Sequence, residues 1–230
     1  MAAHFSNEAL KFLRGLKRNN DREWFAARKH VYERELKAPM LALIGEVNEA
    51  MLEFAPENVR PPHKAMMRIY RDIRFSKDKR PYKIHQAAWW AREGLHKTSG
   101  AGFYFDVSAT EVTVAAGVFM PEREQLLAIR RYLVEHHAEL RRLLAGKKMR
   151  ALMEEIDGAR LTRPPKGFAA DDPAVDLLVC RQWGVSAKLP LERATKPTLV
   201  KDIVERFKVA APMVALLNAP LVGKPKRPLF

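Results

Sequence analysis

Along the first 55 residues, apolar side chains return every three or four positions, the spacing that lines one face of a helix. Ala9, Phe12, Leu13 and Leu16 form the first such stripe, with Ser6 placed to cap it and Asn19-Asn20 to end it. A second helix follows at once, because Asn20-Asp21-Arg22-Glu23 has the form of a capping box: Asn20 or Asp21 caps and Glu23 reaches back. Trp24, Phe25, Val31, Tyr32 and Leu36 supply its buried stripe. Pro39 kinks this helix or opens a third, which carries Met40, Leu43, Ile44, Val47, Met51 and Phe54. Pro56 and Pro61-Pro62 close the helical section.

The period then shortens to two. Over residues 66–75, Met67, Ile69, Ile73 and Phe75 alternate with Arg68, Tyr70, Asp72 and Arg74, which predicts a strand. Residues 84–91, 102–108 and 111–119 read the same way, the last two joined by a turn into a hairpin. Helical spacing resumes from Pro121 through Leu126, Leu127, Ile129, Tyr132, Leu133 and Leu140, then breaks between Asp157-Gly158 and Pro164-Pro165-Lys166-Gly167. Asp171-Asp172-Pro173 predicts a helix start leading into Leu177, Leu178 and Trp183. A short strand over 185–189, a last helix capped by Thr198 and running to about Asn218, and a basic tail from Gly223 complete the chain. This order predicts an α+β fold: a central antiparallel sheet of four to five strands with helices packed mainly on one face. A single domain over 1–230 is expected, with 156–230 as a C-terminal lobe of it.

Charge changes the picture at one place. From 60 to 83 there are nine Lys/Arg against Asp72 and Asp78, so this stretch holds +7 of the chain's +14. Basic residues stand at 68, 71, 74, 77, 80 and 83, one at every third position. Like charges packed this closely repel unless carboxylates or a bound anion offset them. On a strand, Arg71 falls in the apolar row, so it either anchors a buried ion pair or reaches an acidic ligand in a cleft. Residues 75–83 read as a loop, since Ser and Asp favour turns and Pro81 lacks a donor.

The expected function is therefore binding of a phosphate-bearing small molecule, nucleic acid or other anion through Arg68, Arg71, Arg74, Ser76, Lys77, Lys79, Tyr82 and Lys83. Asp72 and Asp78 orient the arginines, and Asn20, Arg22 and Trp24 wall the same cleft. Nucleic acid is the larger-ligand form of this expectation. The alternative is an enzyme acting on a small anionic substrate, with Asp72 or Asp106 as the acid–base residue and the arginines as clamps. Its site is the polar sheet face, where Arg68, Tyr70, Asp72, His85 or Gln86, Tyr104, Asp106 and Thr113 gather. A third reading presents the basic loop to an acidic protein partner.

The string Arg68-Ile-Tyr-Arg71-Asp72-x-Arg74-Phe75-Ser76-Lys77-Asp78-Lys79-x-Pro81-Tyr82-Lys83 closely resembles the signature of a family catalogued as domain of unknown function 2461. So do Asn19-Asn20-x-Arg22-Glu23-Trp24-Phe25 with Lys29 and Tyr32, Gly102-Phe103-Tyr104, Gly117, and Pro164 with Lys166-Gly167-Phe168. The resemblance implies a widespread soluble α+β family and brings no assigned activity or catalytic residue.

Other chemistry is thinly represented. No pair of the seven histidines has a zinc spacing such as H-E-x-x-H, so no metal is expected. The single Cys180 excludes an internal disulfide, fits a reducing compartment, and falls on an apolar stripe as a core residue. There is no Walker lysine motif, and Gly100-Ala-Gly102 lacks the third glycine of a dinucleotide fingerprint; no cofactor is expected. The N-terminus lacks the pattern of a signal peptide, and no run of apolar residues is long enough for a membrane span. A cytoplasmic protein is the expectation. Adjacent Trp89 and Trp90 point to opposite sides of a strand, which leaves one of them exposed as a stacking platform beside the basic loop.

Overall fold

Ser6 Oγ accepts the Ala9 amide at 3.1 Å and opens α1 (Asn7–Arg18), whose Ala9, Leu10, Phe12, Leu13 and Leu16 are buried. The computed structural model describes residues 3–95, 99–156 and 158–222; Met1, Ala2, His96–Thr98, Asp157 and the basic residues from Gly223 onward lie outside them. Asp21, not Asn20, caps α2 (Arg22–Ala27), its Oδ1 accepting the Trp24 amide at 2.8 Å. Glu23 is then only the second residue of the helix, so the expected capping box does not form.

Short α3 (Lys29–Val31), a π-helical stretch over Tyr32–Lys37, and α4 (Ala38–Met51) follow one another without a break. Pro39 therefore does not end the helix. It sits in the first turn of α4, and the turn before it is widened so that the Ala38 amide bonds the Glu33 carbonyl. Widening relieves the clash a proline ring makes with the carbonyl four residues earlier. After α5 (Pro62–Ala65) come β1 (His85–Ala91), β2 (Gly102–Ser108) and β3 (Glu111–Val118), then α6 (Arg123–Leu144), α7 (Lys147–Leu152), β4 (Glu154–Glu155), α8 (Val175–Leu178), β5 (Trp183–Pro190) and α9 (Leu199–Asn218). The fold is α+β: a five-stranded antiparallel sheet in the order β1-β2-β3-β5-β4, with helices packed against it.

Three expectations give way. Residues 66–75 form no strand of the sheet; only the isolated bridges Met66–Ala88 and Tyr70–Tyr82 remain. Alternation prepares a strand, but the hydrogen bonds of this stretch are spent on closing a local loop. The Asp-Pro start leads into a helix of only four residues, and Trp183 opens β5 instead, its Nε1 donating to the Leu177 carbonyl at 3.2 Å. Asp172 Oδ1 takes the Ala174 amide at 2.7 Å, so the Asp-Pro pair shapes a turn. Trp89 and Trp90 are both buried, at 7% and 0% exposure, because both faces of β1 are covered.

The chain divides into two compact units. One comprises Met1–Trp90, Phe103–Ala115 and Ala187–Lys208. Its core is aromatic: Phe207 packs at 5.3 Å from Trp90 and 4.9 Å from Phe103, and Phe5 stacks on Phe105. Burying each such ring contributes about 2–3 kcal/mol. Trp90 Nε1 donates to Asn48 Oδ1 at 2.8 Å, so the indole is buried with its one polar group satisfied.

The other comprises Ala91–Gly102, Ala116–Ser186 and Val209–Phe230. There Ile129, Leu133 and Leu140 of α6 are buried, and Arg141 ties α6 to Asp176 of α8 at 2.5 Å. Gly117 has φ +138°, and a Cβ on it would strike the Trp183 carbonyl and lie 2.5 Å from Gly184 Cα. Only glycine lets these two strands come so near.

Candidate functional site

The basic segment doubles back on itself. The Met67 amide donates to the Ala87 carbonyl at 2.8 Å, Lys83 to Ile69 at 2.7 Å, and Arg71 to Pro81 at 2.9 Å. Beyond this neck, residues 72–80 form the loop proper. Asn20 grips its base from outside: Nδ2 donates to the Tyr82 carbonyl and Oδ1 accepts the Tyr82 amide, both at 3.0 Å. The Tyr82 ring is 6% exposed and stacks on Phe25 at 4.1 Å, with Tyr70 at 5.3 Å. Tyr82 is thus built into an aromatic cluster, and burial first of all pushes its hydroxyl pKa up.

Within the loop, Asp78 joins two arginines. Arg71 Nη1 donates to Asp78 Oδ2 at 2.6 Å and to the Arg80 carbonyl at 3.2 Å, while Arg80 Nη2 reaches the same carboxylate oxygen at 2.7 Å. Arg74 forks onto Asp72, Nε at 3.0 Å and Nη2 at 2.8 Å. The hydrogen bonds from Arg74 hold the Asp72 carboxyl down at about 2. Those from Arg80, then Arg71, hold Asp78 well below the usual carboxylate range. Of the two fates open to Arg71, the one observed is the ion pair.

The remaining cations are differently placed. Arg68 and Lys77 are exposed and, among the described residues, meet no carboxylate within salt-bridge distance. Lys79 Nζ donates to the Ile73 carbonyl at 3.1 Å, and the half-buried Ser76 closes a turn through its amide on the same carbonyl at 3.3 Å. Asn20, Arg22, Lys79 and Arg80 line one shallow open groove together with Asp21, Ile73 and Pro81. Trp24 does not line it: its ring packs against Phe12 at 5.4 Å and over Gly15, where a Cβ would stand 2.6 Å away, and Arg28 covers it at 4.7 Å. Phe75 belongs to the apolar row of the alternation, yet it is 95% exposed, with the Arg74 guanidinium 5.8 Å from its centre.

A second polar group lies on the sheet. Asp106 of β2 is hydrogen-bonded by the Tyr104 and Thr113 side chains, and Glu111 pairs with Lys188 at 3.1 Å close by. Burial outweighs those hydrogen bonds and raises the Asp106 carboxyl to about 6. Burial likewise lowers the pKa of His85, with Lys83 adding to it. Gln86 points to the opposite, helix-covered face, donating to the Met67 carbonyl at 2.6 Å and accepting from Tyr32 at 3.4 Å. Arg68, Tyr70 and Asp72 belong to the loop segment, so they do not extend this polar face as strand neighbours.

The model of a family described as conserved hypothetical protein, DUF2461, matches residues 8–215, most of the chain. The chain belongs to the DUF2461 family. No curated protein matches it. In this DUF2461 protein the two most distinctive sequence strings are one structure, since Asn20 and Phe25 of the first hold Tyr82 of the second.

Elsewhere in the DUF2461 chain, chemistry is sparse. Cys180 stands just past α8, half exposed, beside a cavity of about 90 Å³ that Trp183, Gln182 and Arg160 also line. It is not the core residue expected from its stripe, because α8 ends before reaching it. Arg130 is 6% exposed and donates to the Cys180 carbonyl at 2.8 Å. Among the described residues no group of three or more His, Cys, Asp or Glu is placed to hold a metal ion, and no helix is long and apolar enough to cross a membrane.

Proposed function

We propose that this DUF2461 protein binds a phosphate-bearing or other anionic ligand on the 68–83 loop and the groove beside it. The observation that carries the reading is the charge left over after internal pairing. Two carboxylates form ion pairs with three arginines, while, among the described residues, Arg68, Lys77 and Lys79 stay at the surface with no carboxylate within salt-bridge distance, Arg68 acting on Asp72 only through its charge. Arg71, Arg74, Arg80, Asp72 and Asp78 then form a frame beside Arg68, Lys77 and Lys79 rather than the contact surface itself. A stiff frame lowers the ordering cost of binding. Arg22 and Asn20 face the same groove as Lys79.

The test is binding of pyrophosphate, nucleotides and oligonucleotides by thermal shift and by titration at several salt concentrations. Wild type is compared with Arg68→Gln/Lys77→Gln/Lys79→Gln. Oligonucleotide affinity should fall with salt, and the triple change should flatten that slope by about two to three, roughly one for each phosphate no longer neutralised. Equal binding by wild type and triple variant would remove the loop from the reading.

A specific observation favours a second reading, catalysis at Asp106. A carboxyl raised to about 6 by burial can exchange a proton near neutral pH, and Tyr104 and Thr113 act on it in the opposite sense. Asp72 is unsuited to that role, since Arg74 keeps it ionised down to about pH 2.

A further inference from the structure

Phe75 is the one feature of the loop that neither charge nor packing explains. Its ring is 95% exposed, whereas Phe5, Phe12, Phe25, Phe103, Phe105 and Phe207 are all buried. It stands on a framed loop: the residue before it is forked onto Asp72, and the Ser76 amide after it is tied to the Ile73 carbonyl. The ring is therefore presented outward by its backbone and not folded back onto the apolar neighbours Ile69, buried, and Ile73, half-buried. Beside it in sequence stand Lys77 and Lys79, which meet no carboxylate within salt-bridge distance among the described residues, and Arg74 lies 5.8 Å from the ring centre.

We propose that Phe75 is a stacking platform for an unpaired base, and that the loop's partner is a single-stranded nucleic acid whose phosphates meet Arg68, Lys77 and Lys79. This rests on the anion-binding reading and narrows it to one ligand class. An exposed ring on a cation-rich segment offers a face for bases and charge for phosphates, the two things a single strand presents in turn. A duplex keeps its bases stacked on one another and offers the ring no face, so it would use the cations alone. An anionic membrane would welcome the cations too, but insertion needs more than one apolar side chain at the tip; Ile69 is buried, Ile73 half-buried, and Tyr70, 48% exposed, packs against Tyr82 at the neck.

The experiment is fluorescence anisotropy with a labelled oligodeoxythymidine of about fifteen nucleotides, repeated with its duplex and with inorganic pyrophosphate as competitor; vesicles of phosphatidylcholine and phosphatidylserine are assayed by co-sedimentation. Wild type is compared with Phe75→Ala, Phe75→Trp and Arg68→Gln/Lys77→Gln. Since Phe75 touches little, its variants should fold, and circular dichroism checks this. Phe75→Ala should weaken single-strand binding about tenfold or more with the salt slope unchanged, and Phe75→Trp should restore it. Duplex binding should be insensitive to both changes at 75. If single strand, duplex and pyrophosphate all depend on Arg68 and Lys77 but not on Phe75, the stacking role is overturned while the anion-binding reading stands. If vesicles bind through Phe75 and oligonucleotides do not, the partner is a membrane and the proposal falls. Binding of none of these probes overturns both readings.

Discussion

Replacing Asp106 with Asn isolates a buried ionisation whose direction the structure fixes. In the unfolded chain this carboxyl titrates near 3.8; in the folded sheet burial raises it to about 6. The folded state therefore holds the proton more tightly, and folding is penalised wherever the group must ionise. Below about pH 4 both states are protonated and the penalty is absent. It grows as pH rises from about 4 to 6 and is complete above that. A displacement of this size corresponds to about 3 kcal/mol at pH 7. Asn cannot ionise, so the variant escapes the pH-dependent part. Any fixed change in the Tyr104 and Thr113 hydrogen bonds adds a constant offset. Urea unfolding of both proteins at half-unit steps from pH 4 to 8 gives the difference in stability. It should shift in the variant's favour by about 3 kcal/mol between pH 4 and 7 and then level off. A difference that stays flat across this range, or that moves towards wild type, refutes a carboxyl penalised by burial. Glu111→Gln should narrow the effect, because the Glu111 charge also raises Asp106.

Gly117→Ala should destabilise the protein by at least about 2 kcal/mol in urea unfolding, since both the positive φ and the Trp183 and Gly184 backbones oppose a methyl group. Trp90→Phe leaves the part-buried Asn48 Oδ1 without its indole donor and should cost about 1–3 kcal/mol by the same measurement. Asp78→Asn should leave the melting temperature nearly unchanged but speed hydrogen exchange at the Arg71 and Arg80 amides, because it weakens the clamp that closes the loop.

Some of this molecule is legible along its chain. Ser6 and the stripe from Ala9 to Leu16 announce α1, and the hairpin of β2 and β3 follows from alternation and a turn. The stretch 66–75 shows the limit: alternation says which sides a segment can show, while pairing depends on a neighbour elsewhere in the chain. β4 is the converse case, two exposed glutamates with no apolar signal, paired only because Ser186 and Val185 lie alongside. The charge excess at 60–83 is visible in the sequence, but the sharing of Asp78 by Arg71 and Arg80 is not, because it needs the chain to return on itself between them. The exposed Phe75 is hidden by the assumption that an aromatic in an alternating row faces inward. Trp89 and Trp90 mislead for a related reason, since a strand's own pattern does not reveal whether its second face is covered.

The double grip of the Asn20 amide on Tyr82 has a consequence for how this edge meets other chains. A carboxamide carries the same donor and acceptor as a peptide group, so here a side chain occupies the place of a missing neighbouring strand. The Tyr82 main chain has nothing left to offer an incoming β-strand, which guards this rim against edge-to-edge aggregation. A strand that docks there finds no open main-chain partner at Tyr82.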